Sequence, residues 1–170
     1  MSNIFYIIIA SLAFCSCTAQ KKGNVYAYRQ PVLQGAHPTV IIDEKGKEVE
    51  QIIKESANFY IYLESPSPNI EVKELWIKKK QDKAEVEKVS QTPVVIKATI
   101  RPNGEPDTLV QRTSNTVIQV VPQEETVMSK LSTSVSKKVG QYDLVIHCLI
   151  DGKDYYYTSA IKNLPPLALQ

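Results

Sequence analysis

The chain has 170 residues and a formal charge of +2, with 43% hydrophobic and 22% charged residues. That length fits one domain, and that composition excludes a collagen-like, an intrinsically disordered and a polytopic membrane chain. Twenty Lys and Arg nearly balance eighteen Asp and Glu, so no field of one sign marks nucleic acid as a partner.

Residues 1–17, MSNIFYIIIASLAFCSC, carry no charged side chain, and Ile4 to Phe14 run almost without a polar atom before Cys15-Ser16-Cys17. The run is too short to span a bilayer and has the length of a signal-peptide apolar region, so cleavage is expected. Here the sequence resembles a bacterial lipoprotein signal, in which a small residue precedes a cysteine that is lipidated and becomes the mature N-terminus. Cys17 fits that pattern better than Cys15, since Ser16 is small and Phe14 is not. The resemblance implies a cell-envelope address, most often the outer membrane. Acyl chains bury at roughly 0.8 kcal/mol per methylene, so a multiply acylated Cys17 is a lasting anchor. A plain secretory signal cleaved near Ala19 and a retained anchor helix are the alternatives. The expected organisation is a signal over 1–16, a lipidated N-terminus and tether over 17–38, and one domain over 39–170.

The tether reading rests on Gly23, Pro31, Gly35 and Pro38, which break a small, polar stretch that leads into a first edge strand. In Thr39 to Glu55, Val40-Ile41-Ile42 followed by Asp43-Glu44-Lys45-Gly46-Lys47 reads as a strand entering a hairpin, while Val49, Ile52 and Ile53 have helical spacing. The hairpin is the preferred reading. Period two then dominates. Phe59, Ile61 and Leu63 alternate with Tyr60, Tyr62 and Glu64, and Ser65-Pro66-Ser67-Pro68-Asn69 turns the chain into a strand from Ile70 to Lys79. Ala84 to Val89 and Val94 to Arg101 follow as strands, the second closed by Arg101-Pro102-Asn103-Gly104-Glu105-Pro106. Asn115 to Val121 reads as a strand stopped by Pro122, and Gln123 to Lys138 as a long connection with one helical turn. Seven or more short strands argue an all-β, antiparallel sandwich or barrel.

The C-terminal hairpin is the clearest element. Tyr142, Leu144, Ile146, Cys148 and Ile150 share one face, Asp151-Gly152 makes a two-residue turn, and Tyr155, Tyr157 and Ile161 return on that face before Pro165-Pro166 end the strand. Gly140-x-Tyr142-x-Leu144 resembles the entry to the penultimate strand of immunoglobulin-like and fibronectin type III sandwiches, where such a tyrosine forms the tyrosine corner. That resemblance implies an immunoglobulin-like β-sandwich. Leu144 stands where antibody domains have their second cysteine, so the inter-sheet disulfide is missing. Trp76 is the candidate core tryptophan, and a bulge near Lys73 and Glu74 would reconcile its parity with that of Leu75 and Ile77.

Chemistry-bearing motifs are thin. His37 and His147 are the two histidines, and the chain has no HExxH, GxSxG, P-loop or CxxC. No catalytic residue, metal site or cofactor is expected. Cys148 reads as core packing, and it cannot pair with His147 as a nucleophile because adjacent strand residues point to opposite faces. His147 shares the outer face with Tyr156 and Thr158. Asp151 and Asp154 flank a turn, where carboxylates commonly serve the turn itself. A hydrolase with a carboxylate pair in a cleft is a minor alternative.

Two surfaces are candidates for binding. Tyr60 and Tyr62 face away from Phe59 and Ile61, and Tyr156 faces away from Tyr155 and Tyr157, so neighbouring strands would join them into an outer aromatic patch. The basic hairpin Lys78-Lys79-Lys80-Gln81-Asp82-Lys83 either protects a sheet edge or meets anionic groups. The resulting expectation is a non-catalytic, lipid-anchored envelope protein acting as an accessory or scaffold subunit through protein contacts. A glycan-binding module using the outer tyrosines is the alternative.

Overall fold

The computed structural model describes residues 23–33, 40–42, 46–50, 56–97, 106–126 and 133–168. The fold is all-β with one short helix. The strands are β1 Asn24–Leu33, β2 Val40–Ile42, β3 Glu48–Glu50, β4 Ser56–Ser65, β5 Ile70–Ile77, β6 Lys80–Lys88, β7 Val94–Lys97, β8 Pro106–Val110 and β9 Thr116–Thr126. Helix α1, Thr133–Gln141, precedes β10 Leu144–Ile150, β11 Lys153–Ser159, β12 Lys162–Asn163 and β13 Leu167–Ala168. The segment 1–22, with Cys17, lies outside the described residues, as does the Arg101 to Glu105 turn.

The two separate sheets expected of an immunoglobulin-like sandwich are not what the hydrogen bonding gives. One nine-stranded sheet runs β11-β10-β5-β6-β9-β4-β1-β12, with β13 also on β1. It curls until β1 and β11 approach each other. Inside the curl, alternate residues of both limbs meet in one core: Ala27, Ile61, Leu63, Ile118 and Val120 from one side, Leu75, Ile77, Leu144, Ile146, Cys148 and Tyr157 from the other. This is the period-two pattern acting as expected, since alternate residues such as Ile61 and Leu63 of β4 or Leu144, Ile146 and Cys148 of β10 are apolar and turn inward.

Several elements depart from the sequence reading. The stretch assigned to a tether contains β1, which is no edge: β4 pairs along it from Asn24 opposite Glu64 to Val32 opposite Ser56, and β12 and β13 run parallel on its other side. Pro165 and Pro166 therefore sit between two short strands on that same flank rather than ending the last one. Pro122 does not stop β9 either. The strand continues to Thr126 with Pro122 opposite Ala84, because the β4 ladder has already ended at Gln119 and no bond to β4 is lost for want of an N–H. Between 39 and 55, β2 and β3 pair antiparallel, so the hairpin reading holds.

Asp151 and Gly152 take positive φ of 51° and 76° and close β10 on β11 by a two-residue turn. The expected bulge lies at Lys73, since His147 pairs with Glu74 while Cys148 pairs with Val72. It leaves Ile70 and Val72 on the same inward face as Leu75 and Ile77. It does not bring Trp76 to that face, as was expected, because a bulge before Glu74 cannot change the parity of Trp76 relative to its two neighbours; Trp76 points outward. There Trp76, 1% exposed, packs with Val145 beneath Val135 and Val139 of α1. Helix α1 begins in the 123–138 connection, where one helical turn was expected, and runs on through Gly140, where a strand entry was expected. Tyr142 follows the helix, 45% exposed, with its N–H donating to the Lys138 carbonyl at 3.1 Å, so it makes no buried corner.

Candidate functional site

The outer face of the sheet is covered in two places. Over β1, β4 and β9, the β7–β8 hairpin lays Leu109 and Val110 on Tyr62 and Val117, with Tyr26, Tyr28 and Tyr60 packed around them. Over β5 and β10 lies α1. Tyr62 is consequently 4% exposed, and burial, with Tyr60 beside it, pushes its phenol up. The Tyr60 hydroxyl donates to Gln30 Oε1 at 3.1 Å, and the Tyr28 hydroxyl to the Leu109 carbonyl at 2.9 Å. Nor do β4 and β11 neighbour each other. The joint aromatic patch of Tyr60, Tyr62 and Tyr156 is therefore not assembled.

Glu64, read from the sequence as an outer polar residue, is a buried junction, 5% exposed. One carboxylate oxygen accepts from Asn24 Nδ2 at 3.0 Å and the Tyr26 hydroxyl at 2.7 Å; the other accepts from the Thr113 hydroxyl at 2.6 Å and Asn115 Nδ2 at 2.7 Å. Burial pushes its acidity the other way, but the hydrogen bonds outweigh burial and hold the carboxyl down at about 2. With its oxygens satisfied by four donors, Glu64 is a clamp joining β1, β4 and the loop before β9.

His147 and Tyr156 do come together. Opposite each other on β10 and β11, their rings stack with centroids 4.4 Å apart and planes within 10°. His147 Nδ1 lies 3.0 Å from Glu74 Oε2 on β5, and Nε2 lies 2.7 Å from Asp154 Oδ1 on β11. A carboxylate only accepts, so both contacts are hydrogen bonds when each ring nitrogen carries a proton. Lys138 of α1 places its Nζ 5.7 Å from the Tyr156 ring centroid. Burial first, then the Glu74 and Asp154 charges, push the Tyr156 phenol up. Tyr156 remains 39% exposed, stacked on His147, which is itself bonded to Glu74 and Asp154. Asp154 thus contacts His147 rather than the turn, while Asp151 sits in the turn with positive φ and its carboxylate accepts from Ser67 and Asn69 of the loop between β4 and β5.

The basic hairpin is a tight turn. Ile77 pairs with Lys80, and the two residues between them, Lys78 and Lys79, have φ of 47° and 72°. All three lysines are exposed. Lys80 pairs with Asp82 at 3.0 Å. Both residues also line a cleft of about 440 Å³ that opens between the first half of β4 and the second half of β9. Phe59, Ile77, Val121 and Pro122 give it apolar lining, and Asn58, Tyr60 and Gln123 add polar groups. Among the described residues that line it, Asp82 is the one carboxylate, so the cleft brings no carboxylate pair together.

Cys148 is fully buried, and burial pushes its thiol up to about 12, which suits core packing. Among the described residues no cluster of three metal-ligating side chains forms, and no helix is long and apolar enough to cross a membrane. No protein-family model, curated protein or solved structure matches the chain.

Proposed function

We propose that the chain is a non-catalytic protein of the bacterial cell envelope, lipid-anchored at the outer membrane through Cys17, that acts as an accessory or scaffold subunit through protein contacts. The observation that supports this reading best is Tyr156, exposed on the last long strand yet held in one orientation by His147 and its two carboxylates. A rigid aromatic with a polar tip loses little entropy on binding and is the residue type on which protein interfaces concentrate their energy. Glycan binding is the weaker reading, because two of its three tyrosines lie beneath the β7–β8 hairpin.

The test is affinity purification of the full-length protein from gently solubilised membranes, against an unrelated lipoprotein. A membrane protein recovered in stoichiometric amount, and lost with Tyr156→Ala, supports the reading; recovery of the chain alone refutes it. The anchor is tested separately. Cys17→Ala should move the protein out of the membrane fraction, and its persistence there as an uncleaved species would overturn the lipidation.

A further inference from the structure

The cleft follows from unequal ladders. β4 pairs with β1 as far as Ser56, and β9 pairs with β6 as far as Thr126, yet β4 and β9 pair with each other only from Ser65 opposite Thr116 to Tyr62 opposite Gln119. Beyond that point the two strands diverge. Among the described residues, the edge of β4 over Ser56–Ile61 has no ladder partner on the side away from β1. A strand edge is a row of backbone donors and acceptors, and the ligand that matches such a row at strand spacing is another extended backbone.

A cationic turn adjoins this cleft. Lys80 lines it, and Lys78 and Lys79 form the adjoining turn. Left-handed φ at two successive residues favours Asn-Gly, and lysine at each position carries backbone strain. Asp82 is paired to Lys80, which leaves the two strained turn lysines as the excess positive charge beside the opening. Strain retained at a surface turn is evidence that the side chains there are used.

We propose that the cleft between β4 and β9 is a strand-docking site for an extended, acidic segment of a partner protein. The segment adds to the β4 edge along Ser56–Ile61. Every second side chain then turns inward onto Phe59 and Ile77, and its carboxylates meet Lys78 and Lys79. This rests on the reading of the chain as a protein-contact subunit and gives that reading a location and a partner chemistry.

The experiment measures fluorescence anisotropy of a capped, labelled peptide of alternating valine and glutamate, titrated with the full-length protein in detergent micelles. Saturable binding is expected. It should weaken roughly tenfold with Lys78→Glu and Lys79→Glu together, and comparably when alternate peptide nitrogens are methylated. Ala57→Trp, which fills the cleft, should abolish it, with circular dichroism confirming the fold; Asn58→Trp serves the same purpose if Ala57→Trp does not fold. Absence of saturable binding overturns the proposal, as does binding that survives the cleft-filling variant or is indifferent to N-methylation. Lysine-dependent binding to phosphatidylglycerol vesicles without peptide binding assigns the lysines to lipid and also overturns it. A membrane partner that still co-purifies while the peptide fails sinks the docking site alone and leaves the broader reading standing.

Discussion

Glu64 should make the fold acid-sensitive in a defined window. Its carboxyl titrates at about 2 in the folded chain against an ordinary 4.5, so between those values the unfolded chain binds more protons and stability rises with pH. At about 1.4 kcal/mol for each tenfold change in proton affinity, the difference amounts to about 3 kcal/mol at neutral pH, of which about 2 kcal/mol is gone by pH 3. Glu64→Gln removes the titration and turns an amide donor toward groups that already donate, two on each oxygen. The variant should be less stable at pH 7 by about 2 kcal/mol, since one Asn amide is left facing another amide donor and the charge-assisted bonds to the carboxylate are lost. Its stability should also lose most of the dependence between pH 2 and 4.5. Urea unfolding followed by circular dichroism at a series of pH values measures both. Carboxylates shared by the two proteins contribute equally, so the quantity that matters is the difference between the curves. Parallel curves across pH 2 to 5 would falsify the clamp.

Four further outcomes follow from particular contacts. A Cβ at Gly23 would stand 1.7 Å from the Glu64 carbonyl oxygen, so Gly23→Ala should destabilise by about 2–3 kcal/mol, read as a lower urea midpoint. Replacing Lys78-Lys79 by Asn-Gly should instead stabilise by about 1–2 kcal/mol, because the left-handed turn is then filled by residues that adopt it freely; no gain in thermal midpoint would refute the strain. Cys148, buried with its thiol raised to about 12, should resist iodoacetamide at pH 8 in the native protein and react after urea is added, as mass spectrometry would show. Val139→Ala loosens α1 over Trp76 and should cost about 1–2 kcal/mol, with the fluorescence of this single tryptophan shifting to the red; an unchanged spectrum would mean the helix does not shield it.

How legible the fold was depended on whether local pattern and tertiary context agreed. The β10–β11 hairpin was readable to the residue, because Leu144, Ile146, Cys148 and Ile150 alternate without interruption and Asp151-Gly152 names its own turn. The bulge at Lys73 was readable for the same reason, since parity broke there and nowhere nearby. β1 was not, although Val25 and Ala27 alternate with Tyr26 and Tyr28: its Pro31, with Gly23 before it and Gly35 and Pro38 after it, resembles a linker, and only the paired β4 makes it a strand. Of helix α1 only one turn was legible, because two valines four residues apart are its only apolar face among serines, threonine and lysines. Such a helix holds by docking on Trp76 and Val145, a partner its own sequence does not contain.

The surface residues divide along the same line. Alternation says that Tyr60, Tyr62 and Glu64 point away from the core, and they do, but it carries no information about what later folds over them. Leu109 and Val110 arrive from more than forty residues downstream and turn an outer aromatic face into a second core. Tyr156 escapes because the cover on its limb is the short α1, which among the described residues places Lys138 beside its ring. The cleft lies further still from any motif. It exists because β4 keeps β1 and β9 keeps β6 after the two have let go of each other, a difference in ladder lengths that is encoded in no single segment. What the sequence does display is the turn beside it, where lysine stands at two positions that asparagine and glycine would fill at lower cost. A local preference overridden at the surface, next to an opening in the sheet, is the kind of conflict that folding alone does not require.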